Sequence, residues 1–222
     1  MMVQAKPIIS ILGGTGALGN GLARRWARAG YSITLGSRSA KRAIDAAEEL
    51  NCELGTSVKG CDNSRAVSGA DLIVLAVPYF QRKELLQTIR ADVKGKIVVD
   101  ATVPLSPPIT RVSFPDMECG GREAQDYLGK DVKVVSALQN VAANHLANLN
   151  HRLDCDVLVC GNDQEACEVV IEVVGALGTR GWHAGGIDNA TAAEALTSLL
   201  IFINRRYKID GAGIRITTGT DD

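Results

Sequence analysis

The chain has little of several things that usually announce a function. Its 222 residues carry 24 lysines and arginines against 25 acidic residues, a net charge of −1. That balance offers no basic field for nucleic acid or an anionic membrane. Aromatic residues make up only 4 %. The three histidines, His145, His151 and His183, stand in no HxxxH or HExxH spacing, so no metal centre is expected. The six cysteines form no CxxC pair and no framework, and read as the reduced thiols of a cytoplasmic protein. The longest apolar runs, 72–77 and 199–203, fall far short of the ~20 residues that span a bilayer. The apolar run at 8–12 passes straight into glycines without a cleavage-like site.

Glycine is what the chain has in surplus, 23 of 222 residues, roughly one in ten against a usual ~7 %. The glycines have no three-residue period, and apolar residues are plentiful at 46 %, which excludes collagen-like and disordered readings. Short apolar runs alternate with helical patterns. Strands are expected at 7–12, 32–36, 54–58, 71–77, 96–100, 132–136, 156–160 and 179–183. Helices are expected at 17–29, 40–50, 81–89, 123–128, 164–177 and 189–207. On the first of these, Leu18, Leu22, Trp26 and Ala29 form the apolar stripe and Arg24, Arg25 and Arg28 lie largely outside it. The last is apolar on more than one face, as a helix buried on several sides should be. Alternation of this kind implies an α/β, doubly wound, mostly parallel sheet of Rossmann type. The segment 102–121, with Pro104, Pro107, Pro108 and Pro115, reads as a long loop at the ligand-binding end of a strand.

Gly14, Gly16 and Gly19 form G-x-G-x-x-G between an apolar strand and an amphipathic helix. Gly14 allows the tight turn, Gly16 lets backbone approach a pyrophosphate, and Gly19 lets helix pack on strand. The helix start, at Ala17 and Leu18, offers free N–H groups to phosphate. A NAD site places Asp or Glu at the end of the next strand. This chain reads Gly36-Ser37-Arg38-Ser39-Ala40-Lys41-Arg42 there, without a carboxylate. Ser37, Arg38 and Arg42, with Lys41 nearby, suit a 2′-phosphate, so NADP(H) is expected. Val77 and Pro78, where the fourth strand must turn, are further candidate contacts.

Leu12 to Gly19, Gly36-Ser37-Arg38, Val134-Val135-Ser136-Ala137-Leu138 and Gly213-Ile214-Arg215-Ile216 together resemble the F420H2:NADP+ oxidoreductases, or NADPH-dependent F420 reductases. The resemblance runs nearly end to end. It implies hydride exchange between NADP(H) and the deazaflavin coenzyme F420. It also implies a Rossmann domain over 1–138, a small C-terminal helical domain for substrate and dimerisation over 139–222, and a homodimer. Carried onto this chain, it adds Thr15, Ala137 and Ala143 to the cofactor contacts. It places Gln139, Val141, Thr197 and Ala212 on the acceptor side. Gln139 and Ala142 stand where the family has histidine and proline, and Ala195 where it has serine.

Hydride transfer between two ring cofactors needs positioning and water exclusion more than acid–base help, so no catalytic side chain is expected. Thr15 and Gln139 are candidates to orient ring carbonyls by hydrogen bonds. Arg205, Arg206 and Lys208 are candidates for an acidic cofactor tail, or simply complete a helix C-terminus. Two other readings stay open. One is an NADPH-dependent reductase of another acceptor, such as a flavin, an imine or a metal-linked system. The other is a non-catalytic NADP sensor.

Overall fold

The computed structural model describes residues 5–113 and 119–219; Pro115 of the expected loop lies outside them. β1 (Ile9–Leu12), β2 (Ile33–Ser37), β3 (Lys59–Asp62), β4 (Leu72–Leu75), β5 (Ile97–Asp100), β6 (Lys133–Ser136), β7 (Asp156–Gly161) and β8 (Arg180–His183) form one sheet. Their order is β3-β2-β1-β4-β5-β6-β7-β8. Only the β6–β7 pairing is antiparallel. The helices are α1 (Ala17–Arg28), α2 (Ala40–Leu54), α3 (Asn63–Ser68), α4 (Tyr79–Ile89), α5 (Gly120–Leu128), α6 (Ala143–Ala147), α7 (Gln164–Gly175) and α8 (Ala190–Tyr207). The doubly wound α/β reading holds. Residues after 138 add β7, α7, β8 and α8 to the same sheet. Among the described residues no helix is long and apolar enough to cross a membrane.

Register decides where a ligand can lie. Leu12 pairs with Gly36 and Leu75, Leu75 with Asp100, and Asp100 with Ser136. Five strands thus end on one line, and the segments that follow them emerge along one edge. The strand order reverses between β1 and β4, where doubly wound sheets bind ligands. The strands β1 and β4 are buried throughout. One apolar core, with Leu22, Trp26, Ala43 and Val170, fills one face; another, with Leu85, Ile89, Ala124 and Ala193, fills the other.

Several elements depart from expectation. The third strand is Lys59–Asp62 rather than 54–58, because α2 runs on to Leu54 and stops at the left-handed Gly55, φ 64. Asn51 then folds the chain back: its Oδ1 accepts from Val58 N–H at 2.6 Å and its Nδ2 donates to Val58 C=O at 2.8 Å. Residues 55–58 therefore serve a turn. β3 is an edge strand with exposed ends, so it lacks an apolar signature. Gly60 is required where β3 touches α2, since a Cβ there would sit 2.2 Å from Ala43 C=O. The short α3 and α6 carried too little periodicity to be read. α8 is not covered on all sides: Leu199 and Phe202 remain 48 % and 52 % exposed.

Arg25 also departs from its expected place outside the core. It is buried, and its guanidinium donates to five carbonyls, those of His145, Leu146, Asn148, His151 and Leu177, at 2.7–3.1 Å. Trp26 Nε1 beside it donates to Val173 C=O at 2.8 Å. Arg25→Met should leave those carbonyls short of donors and lower unfolding free energy by at least about 3 kcal/mol. A urea melt checks this; a loss under about 1 kcal/mol would mean that water replaces the guanidinium at little cost.

Candidate active site

The glycine loop is built by close backbone approach. Gly13 and Gly14 N–H both reach Gly36 C=O, at 3.0 and 3.3 Å, so β2 and the loop are fastened together. Gly13 takes φ 85. A Cβ on Gly19 would stand 2.6 Å from Gly13 C=O, so that glycine is obligatory for helix on strand. A Cβ on Gly16 would meet only Gly13 C=O, at 3.3 Å, which leaves its outer side open. α1 starts at Gly16 with no side-chain cap, so the first N–H groups at Ala17 and Leu18 are left for an anion.

Beside this loop lies a cavity of about 270 Å³. Of the expected residues it brings together Thr15, Gly16, Ser37, Arg38, Arg42, Val77 and Pro78. Ser39 caps α2 by accepting from Arg42 N–H at 3.4 Å, and Ser37 Oγ accepts from Ser39 N–H at 3.3 Å. The two hydroxyls and the two guanidinium groups therefore flank one helix start. Arg38 and Arg42 form no ion pair among the described residues, whereas Lys41 is occupied by Asp45 at 2.6 Å. Two unpaired cations at a helix N-terminus oppose its dipole, an arrangement that an arriving phosphate relieves.

Sequence reasoning missed Asn63, which opens α3 and lines the same cavity. Its Oδ1 is buried with no hydrogen-bond partner. The sequence carries no signal for it, because its pattern places no strand at 59–62; the β2–β3 register, Ser37 against Asp62, brings Asn63 to the cavity. Gln81, Glu84 and Thr88 of α4 complete the far wall.

The other expected residues lie elsewhere. Ala137 is fully buried and Val141 nearly so. Ala143 opens α6, with its carbonyl against Gly21. Thr197 Oγ1 donates to Gln139 C=O at 3.1 Å. Ala212 lines a different cavity, of about 260 Å³, with Ala142, His145 and His151. Among the described residues no group of three His, Cys, Asp or Glu side chains is placed to hold a metal.

Behind the ends of β5 and β6 lies a buried polar cluster that the sequence did not announce. Arg82 of α4 donates to Asp100 at 2.9 Å and also meets Gly120 C=O and Glu123. Tyr79 Oη bonds Glu123 at 2.7 Å. Glu194 of α8, wholly buried, accepts from Gly120 N–H at 2.7 Å and Gly121 N–H at 3.0 Å. It thereby caps α5, which is why helix begins inside the expected loop, at Gly120 rather than at 123.

Burial pushes the Glu194 carboxyl up to about 7; the Gly121 and Gly120 N–H groups pull the other way, Asp100 adds to the rise and Arg82 opposes it. Tyr79, Cys119 and Cys160 also feel its charge. From its ordinary value of 4.5 to about 7 the folded chain keeps a proton that the unfolded chain has lost. Stability should therefore fall as pH rises through that window, by something on the order of 3 kcal/mol from this group. Glu194→Gln should flatten the slope in denaturant melts from pH 4.5 to 7; an unchanged slope would assign it to another group.

Comparison with known proteins agrees with this geometry. The family described as NADP oxidoreductase, coenzyme F420-dependent, matches residues 8–104. An F420-dependent NADP reductase of Methanocaldococcus jannaschii is 40 % identical over 94 % of this chain and 97 % of its own. Another, from Methanothermobacter thermautotrophicus, is 37 % identical over 94 % of each chain. A solved structure from Arthrobacter sp. FB24, assigned as an F420-dependent NADP-reductase, superposes with a TM-score of 0.81 at 24 % identity. It covers 95 % of this chain and 99 % of its own, and shows the common fold. With the glycine loop, the serine–arginine strand end and this end-to-end similarity in agreement, the chain belongs to the F420-dependent NADP reductase family.

Proposed function

We propose that the protein transfers a hydride between NADP(H) and coenzyme F420. The observation that carries the cofactor half is the unpaired Arg38 and Arg42 with Ser37 beside the open glycine loop, in one cavity, with no carboxylate in the run from Ser37 to Arg42 and Glu84 on the far wall. The acceptor half rests on the relatives named above, which are F420-dependent NADP reductases. The cavity fits a dinucleotide. Gly16 leaves room for a pyrophosphate, the uncapped start of α1 supplies N–H donors, and the end of β2 supplies cations for a 2′-phosphate.

When bound, the nicotinamide and the deazaflavin supply the hydride chemistry themselves. The chain binds and orients. Gly14, Gly16 and Gly19 shape the phosphate cradle, and Ala17 and Leu18 donate to it. Ser37, Arg38 and Arg42 hold the adenosine end, with Asn63 beside them. Val77 and Pro78 wall the ribose side, and Thr15, whose hydroxyl has no hydrogen-bond partner among the described residues, orients a ring carbonyl. The buried segment Ala137 to Val141 excludes water below the rings, and Ala143, Thr197 and Ala212 support the acceptor side. Leu199, Phe202, Ile209 and Ile216 expose apolar surface on and after α8, which supports a homodimer. The six unpaired cysteines support a cytoplasmic setting.

Anaerobic mixing of enzyme, NADPH and F420, followed at the deazaflavin absorbance, tests the activity; turnover with a different acceptor and none with F420 would replace the acceptor half. Arg38→Ala combined with Arg42→Ala should raise the KM for NADPH on the order of 100-fold, from two charge-assisted hydrogen bonds, and leave that for NADH nearly unchanged. Equal rises for both would show that these cations do not read the 2′-phosphate.

A further inference from the structure

Immediately after β6 the chain turns through Leu138, whose φ is 78. A bulky residue holds that left-handed conformation only where its surroundings impose it, commonly beside functional sites. Gln139 follows. Its Nε2 donates to Asp100 C=O at 2.9 Å and to Ser136 Oγ at 2.8 Å. A backbone carbonyl can only accept, so the amide must face Asp100 with its nitrogen; reversing it would set Oε1 against the Asp100 carbonyl. Both amide protons are therefore spent inside the protein. Ser136, accepting from Gln139, turns its own proton to Glu194 Oε1 at 3.5 Å, a long hydrogen bond. Glu194 is in turn fixed by the Gly120 and Gly121 N–H groups. The series runs from Gln139 to Ser136 to a carboxyl group whose oxygens accept from Ser136, Gly120 and Gly121.

What remains of Gln139 is Oε1. It has no donor among the described residues, and Gln139 keeps 9 % of its surface exposed. β6 ends in register with β5, which ends in register with β4 and β1, so Gln139 stands on the edge that carries the glycine loop. A ring carbonyl, the partner expected from sequence, would need a donor that Gln139 no longer has.

We propose that Ser136 and Glu194 are positioning residues that lock the Gln139 amide with its oxygen outward, making it the acceptor for one N–H group of a bound ring. Two rings carry such a group: a nicotinamide, through its carboxamide, and a deazaflavin, through its imide. The proposal rests on the dinucleotide reading above and deepens it.

The test uses Gln139→Met, Ser136→Ala and Glu194→Gln in the full chain. Binding of 2′,5′-ADP reports the adenosine end and the fold, and should be retained. Affinity is then compared for NADPH and its 3-acetylpyridine analogue, which lacks the carboxamide N–H. In parallel, KM is compared for a deazaflavin and the same molecule methylated at its imide nitrogen. The unaltered protein should prefer the N–H-bearing partner about tenfold in one of the two pairs. Gln139→Met should bring that preference close to one, and Ser136→Ala and Glu194→Gln should reduce it. The pair that responds identifies the ring.

No preference in either pair, or a preference that survives Gln139→Met, overturns the acceptor role. A preference unchanged in Ser136→Ala overturns the relay, and that variant decides the point if Glu194→Gln does not bind 2′,5′-ADP. The nicotinamide comparison is a binding measurement, so it is read independently of whether F420 turns over.

Discussion

The buried guanidinium of Arg25 is the constraint on which the cofactor end of the molecule depends. Among the described residues it pairs with no carboxylate; five backbone carbonyls accept from it, including that of Leu177 after α7. Burying a cation without a counter-ion is costly unless every proton is satisfied, and here all the donor nitrogens are. One side chain thus fastens α1 to the segment from His145 to His151 and to the end of α7. Gly21 lets the same helix press on Leu146, where a Cβ would come within 2.7 Å. The helix offering its N-terminus to phosphate is held as firmly at its far end as at the glycine loop.

Two groups of arginines show how partners, more than residue type, set a role. Arg38 and Arg42 stand exposed, with no ion pair among the described residues. Arg82, buried between Asp100, Glu123 and Gly120 C=O, is already paired with two carboxylates. Desolvation works against its charge while Asp100 and Glu123 restore it, leaving the guanidinium even harder to deprotonate than usual. The unpaired Arg38 and Arg42 are placed to bind, whereas the paired Arg82 is placed to hold α4, β5 and α5 in fixed relation. A phosphate attracted to the first set would find nothing to gain at the second.

The parts of the site that were legible in the sequence are those made by neighbours in the chain. The glycine loop and the run from Ser37 to Arg42 each lie within a few residues, so spacing alone exposes their chemistry. Arg25 was read as an outer residue because its partners lie 120 to 152 positions away. The start of α5 was placed too late because its cap, Glu194, is 74 positions downstream of Gly120. β3 was displaced for another reason: an edge strand needs no apolar alternation, and Asn51 gives the preceding residues a local alternative to pairing. Each error falls where a long-range or side-chain-to-backbone bond overrode a pattern that was locally reasonable.

α8 joins the two unfinished features of the molecule. Its inner face carries Glu194 and Ser198 into the core, and its outer face leaves Leu199 and Phe202 uncovered. A polar inner face gives the helix less hydrophobic anchorage than its apolar composition suggests, since burying a carboxyl without a cation in contact works against the fold. The apolar surface that would offset this is the part still facing solvent. A second copy of the chain laid over Leu199 and Phe202 would therefore stabilise the helix that holds Glu194, and through Ser136 the amide of Gln139. If the protein is a dimer across this surface, association between subunits and orientation at the ring site would be linked through one helix.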